Sequence, residues 1–284
     1  MGEGDRVGAL DPKNRQNLFL RVASAIVLFP LAVWLTIVGG LPFALLAAGA
    51  AALASGELIL MFARLGVGEA LGIAVAGAIP FLAAFGVGGA LLPPWAPLAL
   101  ACATMVLLAV FLFRRAPLET VPGSIAVVTL AWLYCGLLLA TVVGLRRFGV
   151  GWVILSFVVT WANDTFAYFA GHAFGRHKLL ERISPKKTWE GFAGGAVGSV
   201  VGALATRWLL PELQVLSPAM AVALGAGGAV LGPLGDLAES MVKRAAGVKD
   251  SGRIIPGHGG LLDRIDALLF VSPWIYLCAA YIAS

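Results

Sequence analysis

"PGSIAVVTLAWLYCGLLLATVVGL", Pro122 to Leu145, carries no charged side chain and is long enough to cross a bilayer as a helix. An α-helix rises about 1.5 Å per residue, so about 20 residues cross the roughly 30 Å hydrocarbon layer. Backbone groups in lipid must satisfy one another, which makes a helix the natural state of such a run. Eight comparable runs flank it, over 18–38, 41–62, 70–89, 95–113, 150–171, 191–210, 217–238 and 261–282. Only 12% of the 284 residues are charged and the mean hydropathy is +0.93, which excludes the soluble globular class. The chain reads as all-α, a polytopic integral membrane protein of about nine transmembrane helices.

Basic residues mark the cytoplasmic side of a membrane. Arg6, Lys13, Arg15 and Arg21 precede or open the first run, Arg64 follows the second, and Arg114 and Arg115 follow the fourth. The two largest basic loops, 172–190 and 239–260, follow the sixth and eighth. That alternation gives a cytoplasmic N-terminus; Arg146 and Arg147 alone fall on the wrong side. The first run is too long for a signal-peptide core and lacks a small-residue cleavage site, so it reads as a retained helix. Cys102, Cys135 and Cys278 lie inside runs and read as packing residues. The formal charge of +5 suits membrane orientation and anionic headgroups, with no call for nucleic acid. The organisation is a leader (1–17), N-terminal helices (18–149) and a C-terminal region (150–284) that carries the polar chemistry.

Segments 163–190 and 236–266 hold eight and ten charged side chains, out of 20 basic and 15 acidic in the chain, and all three histidines. In "GDLAESMVKR", Gly235 to Arg244, a helix puts Asp236, Ser240 and Lys243 on one face. That stripe suits a divalent cation at one end and a phosphate at the other; its bland alternative is a helix end with one Glu239–Lys243 pair. The glycine-rich stretch Gly247–Gly260 runs into a helix at "LLDRID", a plausible phosphate cradle. His258 either binds phosphate or orders that loop. Asn163 and Asp164 lie inside a run, where a carboxylate needs a cavity or partner. Glu57 poses the same question in the second run, as a structural hydrogen bond or a functional group. His172 and His177 lack zinc spacing. "SPKKTWEG" joins turn chemistry to two lysines suited to a nucleotide.

"SMVKRAAGVKDSGRIIPGHGGLLDRID", Ser240 to Asp266, resembles the signature of the phosphatidate cytidylyltransferases (CDP-diacylglycerol synthases) at every motif position, and "NDTFAYFAGHAFGRHKL" with "ISPKKTWEG" resembles that family's second block. The detailed resemblance covers roughly 160–284. It implies the reaction of CTP with phosphatidate to give CDP-diacylglycerol and pyrophosphate, with Mg2+ as cofactor, in the inner membrane with the site facing the cytoplasm, and a homodimer. It implies Asp236 and Asp263 as metal ligands, and these with Ser240 and Lys243 as the catalytic set. Substrate contacts are expected from Asn163, Asp164, Arg176, Lys178, Ser184, Lys186, Lys187 and Thr188 in one block. In the other they are Arg244, Lys249, Asp250, His258, Gly259, Gly260, Arg264 and Asp266. The rival functions are a CTP-dependent lipid kinase and an ion-coupled transporter. The transporter fits poorly, since the densest chemistry lies in cytoplasmic loops and no repeated halves are visible.

Overall fold

The computed structural model describes residues 26, 30–87, 90–114, 116–255 and 259–283. The leader, most of the first run, Arg115 and His258 lie outside the described residues. Residues 30–38 are helical. Then come α1 (Gly40–Phe62), α2 (Val67–Ala83), α3 (Ala96–Leu112), α4 (Val121–Ala131) and α5 (Leu138–Arg146). A single π-helical segment, Trp132–Leu137, fuses α4 and α5 into one rod. The polar half contains α6 (Val150–Phe174), β1 (Lys178–Leu180), β2 (Ser184–Thr188), α7 (Trp189–Leu209), α8 (Pro218–Ala245) and α9 (Leu262–Ala283).

Six helical stretches among the described residues are long and apolar enough to span a membrane: Gly40–Phe62, Leu118–Arg146, Val150–Phe174, Trp189–Leu209, Pro218–Ala245 and Leu262–Ile282. Helices α2 and α3 match the expected runs 70–89 and 95–113 in position but have 17 residues each. At about 1.5 Å per residue they fall a few ångströms short of a 30 Å layer. The described residues are mostly helical, in keeping with the all-α class, with one small antiparallel hairpin of β1 and β2 inside the expected loop 172–190. One bound needs correction: α8 runs on to Ala245, so Glu239, Lys243 and Arg244 lie on helix and not in the expected loop 239–260.

Small residues set the packing of the polar half. On α7, Gly191, Gly194, Gly195, Gly198 and Gly202 face α6. A Cβ at Gly194 would lie 2.3 Å from that of Ala170, and one at Gly198 2.6 Å from the Ala162 carbonyl. Glycine therefore lets the backbones approach, as in membrane helix pairs generally. A proline supplies the tie to α8. Pro233 has no N–H for the Ala229 carbonyl, and Asn163 Nδ2 takes up that oxygen at 3.4 Å while donating to Ser199 Oγ at 3.0 Å. Asn163, Ser199 and Pro233 thus lock α6, α7 and α8 together without leaving the carbonyl orphaned in an apolar interior.

The two ends of the bundle differ. At one end Arg146 donates through Nε to the Thr36 carbonyl (3.0 Å) and through Nη2 to that of Ile37 (2.9 Å), satisfying the last carbonyls of the helical stretch 30–38. Arg147 donates to the Ala90 carbonyl and to Tyr276 Oη. The two arginines that disagree with the loop-charge pattern are therefore engaged as internal braces. The opposite end gathers Glu57, Glu69, Arg114, Lys187, Asp236, Lys243 and Asp263 through contacts between α1, α2, α3, α8, α9 and the hairpin.

Candidate active site

Helices α6, α7 and α8 and the hairpin enclose a cavity of about 530 Å³ at that charged end, lined among others by Asn163, Asp164, Lys186, Lys187, Thr188 and Asp236. Thr188 is there because it caps α7, its Oγ1 accepting from the Gly191 N–H at 3.1 Å. The cap fixes the end of β2 and with it the two lysines before it. Lys187 Nζ reaches Asp236 Oδ2 at 2.8 Å and donates to the Pro233 carbonyl at 3.3 Å. Ser240 Oγ donates to Asp236 Oδ1 at 3.2 Å, so the expected helical face of Asp236 and Ser240 is present. Asp164 faces the same cavity with no hydrogen bond or ion pair to the described residues. Tyr168 and His172 stack on the cavity wall at 6.1 Å between ring centroids.

Two turns further along α8 lies a second group. Lys243 Nζ bonds Asp263 Oδ1 at 2.6 Å and pairs with Glu239 Oε2 as well. The pairing of Glu239 with Lys243 matches its i, i+4 spacing, but Glu239 is only 1% exposed, so this is a buried pair and not a surface one. Asp263 Oδ2 accepts from the Ser251 and Gly260 N–H groups, each at 3.0 Å. Glu57 arrives from α1: Oε1 accepts from the Leu261 N–H at 3.0 Å, and Oε2 from the Leu262 N–H at 2.9 Å and Ser251 Oγ at 3.1 Å.

This corrects the reading of the glycine-rich loop. The N–H groups at the start of α9 do form an anion-binding nest, but the protein's own carboxylates fill it. Gly252 and Gly260 are glycines because a Cβ at either would lie 2.4 Å or 2.7 Å from a Glu57 oxygen. Glu57 is thus held by three hydrogen bonds from this loop.

The remaining expected residues divide by position. Arg244 tethers α8 to the hairpin, its Nε donating to the Ile183 carbonyl at 3.5 Å. The Arg176 N–H donates to Glu190; Lys178 and Ser184 sit on the hairpin strands. Lys249, Asp250 and Arg264 are exposed. Gly259 takes a positive φ of 87° and closes the loop against Ile255. Asp266 Oδ1 accepts from the Ala267 N–H, and its carbonyl packs on Gly235. Sequence reasoning missed the ion pair of Glu69 with Arg114, at 2.6 Å; both residues end apolar runs, which is the only signal for it.

Among the described residues no three His, Cys, Asp or Glu side chains converge into a ready-made metal site. The donor chemistry nonetheless fits a hard cation. Asp164 and Asp236 line the cavity, and Mg2+ characteristically takes one or two carboxylates and completes its shell with phosphate oxygens and water. Asp263 is engaged on both oxygens by Lys243, Ser251 and Gly260.

A profile described as the cytidylyltransferase family matches residues 19–282. A phosphatidate cytidylyltransferase of Bacillus subtilis (strain 168) is 40% identical over 164 residues, covering 55% of this chain and 59% of the relative. Those of Thermotoga maritima and Brucella suis biovar 1 are each 40% identical over 158 residues, covering 54% and 53% of this chain and 58% and 54% of the relative. The chain thus spans between half and three fifths of the length of these relatives.

Proposed function

The chain belongs to the cytidylyltransferase family, and on that premise we propose that it is a phosphatidate cytidylyltransferase, converting CTP and phosphatidate to CDP-diacylglycerol and pyrophosphate. The observation that carries this reading is the Lys187–Asp236 pair on the wall of a cavity that also presents Asp164, Lys186 and Thr188. It sits at the end of the bundle where polar chemistry meets spans exposing Phe166, Phe169 and Phe174, so a soluble nucleotide and a membrane-bound lipid can meet there.

In the proposed step an oxygen of the phosphatidate phosphate attacks the α-phosphorus of CTP. The bond from that phosphorus to the β-phosphate's bridging oxygen breaks, and pyrophosphate leaves with its electron pair. The attacking oxygen is already anionic, so no strong base is needed. The obstacle is the meeting of two anions, and positioning with charge neutralisation accounts for most of the acceleration in such reactions. Lys186 and Lys187 supply positive charge to the triphosphate, and Asp236 orients Lys187. Ser240 holds Asp236 in its rotamer, while Lys243 holds Asp263. Asp236 and Asp263 would hold Mg2+, which would supply neutralisation of the charge that builds on the phosphoryl oxygens. The cytoplasmic N-terminus, inner-membrane location, cytoplasm-facing site and homodimer belong to the same proposal.

The test is product analysis. Purified protein given CTP, phosphatidate and Mg2+ should form CDP-diacylglycerol and pyrophosphate in equal amounts. Release of CDP with a newly phosphorylated lipid would replace this reading with a lipid kinase, and substrate movement without turnover would replace it with a carrier.

A further inference from the structure

We propose that Glu57, on a helix outside the polar half of the chain, is a positioning residue for the site: it clamps the neck of the 249–262 loop and so sets Asp263 and Lys243. The inference rests on the proposed function for its kinetic consequences but not for its geometry.

Glu57 and Ser251 are 194 residues apart in sequence, yet Glu57 is 5% exposed and its carboxylate accepts three hydrogen bonds from one loop. Asp263 accepts two more from the same neck. The two carboxylates grip it together, sharing Ser251: its hydroxyl goes to Glu57 and its N–H to Asp263. Gly252 and Gly260 come so close to Glu57 that neither tolerates a Cβ. The nest at the start of α9 would otherwise leave its N–H groups without partners, and a negative side chain at a helix N-terminus is stabilised there.

The clamp has a consequence for the reacting groups. Asp263 sits one residue beyond Leu262, whose N–H Glu57 holds, and its Oδ1 anchors Lys243. Once the neck is released, Asp263 loses its fixed rotamer and Lys243 loses one of its two anions. Glu57 touches no reacting atom, so it acts through Asp263. Helix α1 thereby becomes part of the site, although its sequence carries only this one acidic residue.

Glu57→Gln keeps the shape but turns an NH2 toward donors that need an acceptor. Loss of an outer-shell partner of this kind typically lowers activity about 10- to 100-fold. The expected result is a fall of that size in kcat with the KM for CTP within about threefold, and partial recovery in Glu57→Asp, which retains the charge. In parallel, amide hydrogen exchange in detergent should accelerate about tenfold or more at Ser251, Gly260, Leu261 and Leu262, with the α6–α7 amides unchanged. A kcat within twofold of wild type overturns the proposal, and so does a slow variant whose loop amides exchange as in wild type. Should Glu57→Gln not fold, Ser251→Ala removes a single donor: a smaller fall in kcat with exchange faster only in the loop supports the clamp, and wild-type behaviour in both overturns it. If wild-type protein makes no CDP-lipid, the proposed function fails while the exchange measurement still decides the clamp.

Discussion

Replacing Lys243 with methionine separates the architecture of the site from its chemistry. The side chain of Lys243 is 12% exposed and lies between Glu239, 1% exposed, and Asp263, 11% exposed. Methionine keeps most of the stem and removes the ammonium, so two buried carboxylates face each other with no cation between them. Breaking a buried ion pair by removing one partner costs about 3–5 kcal/mol. At about 2–4 °C per kcal/mol, the unfolding midpoint should fall by roughly 10 °C, read by tryptophan fluorescence of detergent-purified protein. Lys243→Met/Glu239→Gln removes one of the two stranded charges, and Asp263 keeps its two N–H donors. A coupling of about 0.5–3 kcal/mol should return part of the lost stability. Turnover should not return, because the ammonium is still missing. A midpoint within about 1 °C of wild type for Lys243→Met, or purely additive effects in the double variant, would refute the buried three-group arrangement.

Other perturbations address the neighbouring parts. Asp236→Asn and Asp263→Asn should each abolish CDP-lipid formation with the fold retained by circular dichroism; near-wild-type turnover in either removes that residue from the proposed metal set. Lys187→Ala should raise the KM for CTP and leave Asp236 without its cation; unchanged dependence on CTP counts against its place on the triphosphate. Gly194→Leu should prevent accumulation of folded protein, because its first side-chain atom would already lie 2.3 Å from the Ala170 Cβ; normal yield and unfolding midpoint would contradict the α6–α7 packing.

Much of this was legible in the sequence because it is local. Apolar run length placed most of the described helices to within a few residues, although α2 stops short of its expected end and α8 runs past its own, and the spacing of Asp236 and Ser240 placed them on one face, where they bond. The spacing of Glu239 and Lys243 likewise gave their pair. What was not legible depends on distant segments. Nothing near Glu57 says that its partners are Ser251, Leu261 and Leu262, and nothing near Asp263 says that Ser251 and Gly260 will occupy one of its oxygens. Glycine richness signals that an anion is wrapped closely by backbone. It does not say whether that anion is a ligand or the protein's own carboxylate, and here it is Glu57. Arg146 and Arg147 looked like loop charges because their acceptors, the carbonyls of Thr36, Ile37 and Ala90, carry no residue-type signal.

The location of the nucleotide is the claim on which the rest depends, and photoaffinity labelling with an azido analogue of CTP tests it most directly. Competed by CTP, the label should map to the peptides of 163–192, which carry Asn163, Asp164, Tyr168, His172, Lys186 and Lys187 on the cavity wall. Labelling that CTP does not suppress, or that maps to the groove of Gly66, Val106 and Arg114 between α2 and α3, would contradict it.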